Sequence, residues 1–335
     1  MTSIVSLPKA SAATGSGPRP INLATDLGPL ADLIERVFAD TMDAGGRAAL
    51  REMRMLGRLG RGVNVLQRLG DGALGIQLGY VWIEDGQLVG NVSVYPAQLP
   101  GDRSTWIVAN VGTHPDYQRR GIARKLMIHS LDLIRARGGR RAVLQVDYDN
   151  VGAQGLYISL GFTFERAWTV WRRNATLRGL PPPEIDQVYI THPRFSDRRA
   201  LWALAEQLRP DHLGGLGWLR PLHPSTVHLN LLKRLNEFLN LRSTEQLVIR
   251  SEDERAIRAA LFVERGAGIS TRLTLLVHPD YQGLYDEALI STAVRRFSGD
   301  NLVLEHPYHE TVTNALLERY GFRHSRSAFH MRLDV

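Results

Sequence analysis

Apolar positions along this chain follow two rhythms. Some alternate or run continuously between glycine and proline turns, as strands do, and others recur every three to four residues, as helices do. In the first half, "RPINLAT" (Arg19 to Thr25), "GIQLGYVWI" (Gly75 to Ile83), "GQLVGNVSVYP" (Gly86 to Pro96) and "STWIVANVGT" (Ser104 to Thr113) predict four strands. Helical spacing over Leu27 to Asp40 and Ala44 to Leu59 places two helices between the first strand and the second. A third helix follows, in which Ala123, Leu126, Met127, Ser130, Leu131 and Ile134 share a face and Gly138-Gly139 supplies the stop. "AVLQVDY" is the next strand, "DNVGAQGLYISLG" a helix opening on Asp149 or Asn150, and "WTVWRR" the closing strand. The order β, α, α, β, β, β, α, β, α, β predicts a mixed α/β sheet of α+β type.

The same pattern returns later in the chain. The pentapeptide HPDYQ occurs at His114 to Gln118 and again at His278 to Gln282. Each copy is followed, after a slightly shorter interval in the second, by equally long segments that close on Gly-Phe, "LQVDYDNVGAQGLYISLGF" (Leu144 to Phe162) and "LEHPYHETVTNALLERYGF" (Leu304 to Phe322). Two ordered matches at so long a period indicate a duplicated domain rather than a solenoid of short repeats. Between the copies, "NATLRGLPPPE" reads as a stiff polyproline connection. The expected layout is a flexible leader over 1–18, a first domain over 19–174, a proline-rich linker over 175–184 and a second domain over 185–335.

Composition narrows the chemistry. The chain has 335 residues and no cysteine, so disulfides, thiolate metal sites and a cysteine thioester relay are excluded. No apolar run approaches the roughly 20 residues of a membrane helix, and the first residues lack the features of a signal peptide, which predicts a cytoplasmic protein without a membrane partner. The net charge of +7 points to an anionic partner: nucleic acid, an anionic surface or a phosphorylated small molecule. Only Lys9, Lys125 and Lys233 are lysines, so where the arginines fall says more than their number. Arg135, Arg137, Arg140 and Arg141 flank a glycine turn and read as a solvated helix end, not as a nucleic-acid surface.

The other arginines sit where an anion would bind. "QRRGIA" joins a strand to a helix start, where unpaired N–H groups and the positive end of the helix dipole point outward. Gly121 and Ala123 are small enough for a diphosphate to approach the backbone, and Arg119, Arg120, Arg124 and Lys125 supply charge-assisted donors. The second copy reads "GLYDEA" at this place, with Asp286 and Glu287 in the first helical turn. Like charges 4 Å apart repel by about 4 kcal/mol at an effective dielectric near 20, so those acids oppose a diphosphate.

"VGTHPDYQRRGIARKL" followed by "NVGAQGLYISLGF" resembles the GNAT superfamily of N-acetyltransferases, whose acyl-CoA signature is Gln/Arg-x-x-Gly-x-Gly/Ala. The likeness covers Arg19 to Arg173 and implies two GNAT-like domains in tandem, the second degenerate. It implies an acetyl-CoA-dependent transfer to an amine in a ternary complex, with catalysis in the first half. The CoA diphosphate would lie on the turn formed by Gln118, Arg119, Arg120, Gly121, Ile122, Ala123 and Arg124, and the pantetheine arm along Val111, Gly112 and Thr113. Tyr157 would protonate the departing thiolate and Asn150 would help hold the arm; seven residues separate them, two helical turns, so both face one side of the helix. Leu317 and Glu310 stand at these places in the second copy.

The backbone N–H of Val111 is the favoured oxyanion donor. Many relatives carry a glutamate base where this chain has Gln145, so deprotonation is expected through water, with Asp147, on the same strand face, as an assistant. His306 and His309 lack a third ligand at characteristic spacing, and no metal is expected. Trp168 and Trp171 should fall on opposite faces of their strand, one in the core and one in a cleft. A non-catalytic acyl-CoA sensor or interaction scaffold is the alternative, motivated by Gln145 and the degenerate copy. The acceptor, the preferred acyl group and a homodimeric state are left open.

Overall fold

A computed structural model describes residues 16–39, 42, 44–59, 78–99, 101–176, 179, 181, 188–210, 242–266 and 270–335. Most of the leader and of the proline-rich linker, including the domain limit at 184–185, lies outside the described residues. Contact density divides the chain into two compact units that cut across the sequence repeat. Unit 1 comprises Met1–Tyr95, Val108–Arg140 and Val335; unit 2 comprises Pro96–Ile107 and Arg141–Asp334.

Unit 1 holds β1 (Gly17–Pro20), β2 (Leu78–Glu84), β3 (Gln87–Pro96, save its last residue) and the end of β4 (Thr105–Thr113), in that spatial order. β1, β2 and β3 are antiparallel, and a short turn joins the last two. "RPINLAT" is not one strand. β1 stops at Pro20 and α1 (Leu23–Val37) starts four residues before the helix that apolar spacing predicts. Asn22 causes the shift: its side chain accepts from the Ala24 N–H as an N-cap, and its own N–H donates to Asp26 at 2.7 Å. Asp26 is buried and tied to Arg19 by two bonds of 2.7 and 2.8 Å. Leu23, Leu27, Leu30 and Ile34 of α1 pack against Leu50 and Met53 of α2 (Ala44–Gly57).

The third helix, α3 (Ile122–Ala136), lies against β2 and β3. A Cβ on Gly90 of β3 would come within 2.8 Å of Ile122 and 3.0 Å of Leu126, so glycine there lets the start of α3 approach the sheet. Ile122, Leu126, Met127, Leu131 and Ile134 are buried on one face, as the periodicity predicts.

Unit 2 has the strand order β4 (its first residues), β5 (Arg141–Asp147), β11 (Arg323–Asp334), β6 (Thr163–Arg173), β10 (Leu302–Pro307), β9 (Thr271–Val277), β8 (Ile257–Gly266) and β7 (Arg242–Arg250). β4 and β5 pair in parallel over Thr105–Ile107, and β9 and β10 over Thr271–Leu273, while every other pair whose register is given is antiparallel. Its helices are α4 (Val151–Ser159), α5 (Arg198–Leu208), α6 (Tyr285–Arg296) and α7 (Thr311–Arg319).

The copies exchange their last strands. β6, from the first copy, lies between β10 and β11 of the second, and β11 lies between β5 and β6 of the first. Each copy thus supplies a strand that completes the other's part of the sheet. Trp171 on β6 joins the core of the second copy, with Leu261, Leu275, Leu289 and Leu304, whereas Trp168 is only half-buried on the opposite face.

Candidate active site

Each predicted site residue falls in one unit or the other: Val111 to Thr113 and Gln118 to Arg124 in unit 1, Asp147, Asn150 and Tyr157 in unit 2. Within β4 the pleat is interrupted at Asn110, which has φ +52, a left-handed value rare outside glycine. Asn91, fully buried on β3, donates to the Asn110 carbonyl at 3.0 Å and holds the backbone in that state. Its own Oδ1, and the Thr113 Oγ1, are buried without a hydrogen-bond partner among the described residues. These unsatisfied groups beside Val111 and Gly112 suit the amides and hydroxyl of a pantetheine arm. Sequence reading missed Asn91, because an asparagine in an apolar strand carries no motif.

The first HPDYQ is a structural connector. His114 Nδ1 accepts from the Asp116 N–H at 3.3 Å, capping a 3₁₀ turn over Pro115–Tyr117, and the Gln118 side chain reaches back to the Thr113 carbonyl at 3.4 Å. Arg119 and Gly121 then take φ +63 and +76. Gly121 is the N-cap of α3 and, having no side chain, gives the helix N-terminus no side-chain cap; among the described residues nothing lies within 4 Å of where its Cβ would be. Amides turned outward in this way form an anion-binding concavity. Around it Arg119, Arg120, Arg124 and Lys125 are exposed, while Ile122 beneath is buried. Arg120 is held by a 3.0 Å bond to the Asp116 carbonyl and lies over the Tyr117 ring, and Lys125 lies over Trp82. The residues present fit a diphosphate.

The second HPDYQ builds the same connector. His278 Nδ1 accepts from the Asp280 N–H, and Gly283 takes φ +91. The anion place is filled from within the chain. Asp286, fully buried, accepts from the Gly283 N–H at 2.6 Å, from the Glu287 N–H at 3.1 Å and from the Thr313 hydroxyl at 2.6 Å. Glu287 beside it accepts from Tyr320 at 2.8 Å and from Arg319 at 3.1 Å.

In unit 2, Asn150 caps α4 through a 3.0 Å bond from the Ala153 N–H. Tyr157, buried on the same helix, packs its ring near Phe162, and its hydroxyl makes no hydrogen bond among the described residues. Burial raises the phenol's pKa well above its ordinary value, so it stays protonated. Leu317 replaces it in the second copy and is equally buried. Asp147 pairs with Arg326 of β11 at 3.0 Å.

Gln145 stands opposite His330 of β11, with side-chain nitrogens 2.7 Å apart. Burial, then the charges of Arg166 and Arg326, lower the His330 pKa to about 3, so it is a neutral ring at physiological pH. No sequence pattern links residues so far apart, and His330 was not legible as a site residue. Among the described residues no group of three or more His, Asp or Glu is placed to hold a metal ion, and no helix is long and apolar enough to cross a membrane.

Comparisons with known proteins agree with this geometry. Residues 67–162, which contain β4, the Gln118–Arg124 turn, α3, β5 and α4, match the acetyltransferase (GNAT) family. The chain is similar to the "[Ribosomal protein bS18]-alanine N-acetyltransferase" of Escherichia coli K12, 38% identical over 78 residues, 22% of this chain and 53% of that protein. It is 40% identical over 62 residues to the mycothiol acetyltransferase of Beutenbergia cavernae, covering 18% of this chain and 21% of that one. The chain thus spans about half the length, or less, of these curated relatives.

Among solved structures, a GCN5-related N-acetyltransferase from Sphaerobacter thermophilus has a TM-score of 0.63 at 16% identity, over 95% of both chains. A tandem GNAT protein from the clavulanic acid biosynthesis pathway has a TM-score of 0.54 at 15% identity, over 96% of this chain and 98% of that one. At these identities the likeness is one of fold, and it runs the length of the chain. Residues 67–162 thus carry the match to the acetyltransferase (GNAT) family, and the chain over its length has the fold of the solved GNAT proteins to which it is similar.

Proposed function

We propose that this protein transfers an acetyl group from acetyl-CoA directly to an amine in a ternary complex, with catalysis in its first copy. The observation that carries this reading is the contrast between two equivalent helix starts: Gly121 leaves one open among arginines, and Asp286 fills the other. Acetyl-CoA, as substrate, supplies a thioester whose carbonyl is open to attack. The turn from Gln118 to Arg124 binds its diphosphate, with Gly121, Ile122 and Ala123 giving backbone donors. Val111 N–H stabilises the oxyanion, Gly112 and Thr113 line the arm, Asn150 steadies it, and Tyr157 gives the thiolate a proton. Gln145 cannot accept the amine's proton, which leaves through water with Asp147, held by Arg326, as an assistant.

Calorimetry tests cofactor binding. The wild-type chain should bind one acetyl-CoA, and Gly121→Glu should weaken binding by at least about 100-fold, since a carboxylate replaces an open anion site. Left-handed φ at Gly121 adds about 1–2 kcal/mol of strain in the variant, a cost the fold can bear because its Cβ meets nothing among the described residues. Binding indifferent to the substitution would refute the phosphate turn. Gln145 is also what favours the second reading, a non-catalytic acyl-CoA sensor. An amine panel separates the two: CoA release that never exceeds slow hydrolysis would leave the sensor.

A further inference from the structure

One face of the sheet in unit 2 carries polar groups that the transfer chemistry does not use. Gln145 on β5, His330 on β11 and Arg166 on β6 form a cross-strand row, because His330 is the register partner of both others. Trp168, two residues from Arg166 on β6, shares its face. The Arg166 guanidinium lies over the Trp168 ring at 5.1 Å from its centre, and Arg209, at the end of α5, lies over the same ring at 4.8 Å.

Three polar atoms here are buried without a hydrogen-bond partner among the described residues: Arg166 Nε, Trp168 Nε1 and His330 Nδ1. His330 as a whole is only 4% exposed. Buried donors left unsatisfied are costly, and in native proteins they call for a partner.

The nearby carboxylates are already engaged. Asp147 pairs with Arg326, Glu165 with Arg332, Glu305 with Arg272, and Glu310 with His306 and Arg209. Arg166 has no ion pair within 4 Å among the described residues, and burial, its largest cause, lowers its pKa to about 10. Glu165 and Glu305 act on this guanidinium only at longer range, and no carboxylate among the described residues is in contact with it.

We propose that this face binds an amine that also carries a carboxylate or phosphate, with the anion on Arg166 and the Trp168 N–H and the nitrogen end beside Gln145. Two strand spacings, roughly 10 Å, separate the backbones of Arg166 and Gln145, and side chains reaching inward leave room for a compact amino acid or amino phosphate. With its amide N–H bonded to the neutral His330 ring, Gln145 keeps its carbonyl oxygen as an acceptor for the amine. The proposal deepens the transferase reading, on which it rests, by naming the class of acceptor.

Calorimetry on the full chain with matched probes tests it: β-alanine against β-alaninamide for the carboxylate, phosphoethanolamine against ethanolamine for the phosphate. At least one anionic member should bind tenfold or more tightly than its neutral twin, and the pair that does so identifies the anion. Arg166→Met should erase that margin and Arg166→Lys should keep part of it, with Arg166→Gln as a polar check on folding. Equal binding within both pairs, or a preference that survives Arg166→Met and Arg166→Gln, would overturn the proposal. Preferential binding of an anionic probe that is never acetylated would uphold the anion site and remove the transferase reading, so the two fail separately.

Discussion

Replacing Tyr157 by phenylalanine is expected to lower kcat by about 10²-fold or more while acetyl-CoA affinity stays within a few-fold. General acid catalysis by a positioned side chain contributes about 10²–10⁴ in rate, and the phenol is the group removed. The hydroxyl makes no hydrogen bond within the described residues, so its loss strands no partner, and the ring keeps its packing near Phe162. Stability should therefore change by less than about 1 kcal/mol. Leu317, buried at the matching place of the second copy, indicates that the fold does not need a phenol there.

The pH dependence has a definite sign. Burial raises the folded-state pKa of Tyr157, so the acid form persists through neutral and alkaline pH, and an alkaline fall in kcat from this group begins only above the ordinary tyrosine value near 10. Single-turnover rates for the wild type and the variant at neutral pH would check the assignment. Unchanged turnover, or affinity and turnover falling together, would refute the acid.

Local features of this chain were legible in sequence, and features that join distant segments were not. HPDYQ marked a connector because a proline, a histidine cap and a 3₁₀ turn act over five residues. Gly121 among arginines marked a helix start without a side-chain cap, because the turn before a helix is set by the residues next to it. The start of α1 departs from the apolar pattern because Ile21 continues the strand-like run, while the Asn22 cap and the buried Arg19–Asp26 pair decide the conformation. The exchange of β6 and β11 had no sequence signal: both are plain strands, and which neighbour each takes depends on pairing across more than 150 residues. His330 and Arg166 became visible only through that exchange, since β11 brings one beside the other and beside Gln145.

Asp286→Ala should lower the stability of the fold by about 3–5 kcal/mol, a large share of the roughly 5–15 kcal/mol that holds a protein folded. Charge alone makes this acid a group that repels a diphosphate. In the fold its carboxylate closes this helix start from within, accepting two backbone N–H groups at the start of α6 and the hydroxyl of Thr313 on α7. Bonds to a charged group are worth about 1.5–3 kcal/mol each, and alanine would leave three donors without an acceptor. Thermal unfolding would show the loss as a drop of about 10 °C in Tm. An unchanged midpoint would mean that the carboxylate does not stabilise this helix start. The variant should still bind a single acetyl-CoA, because emptying the second anion place restores neither the arginines nor a residue like Tyr157.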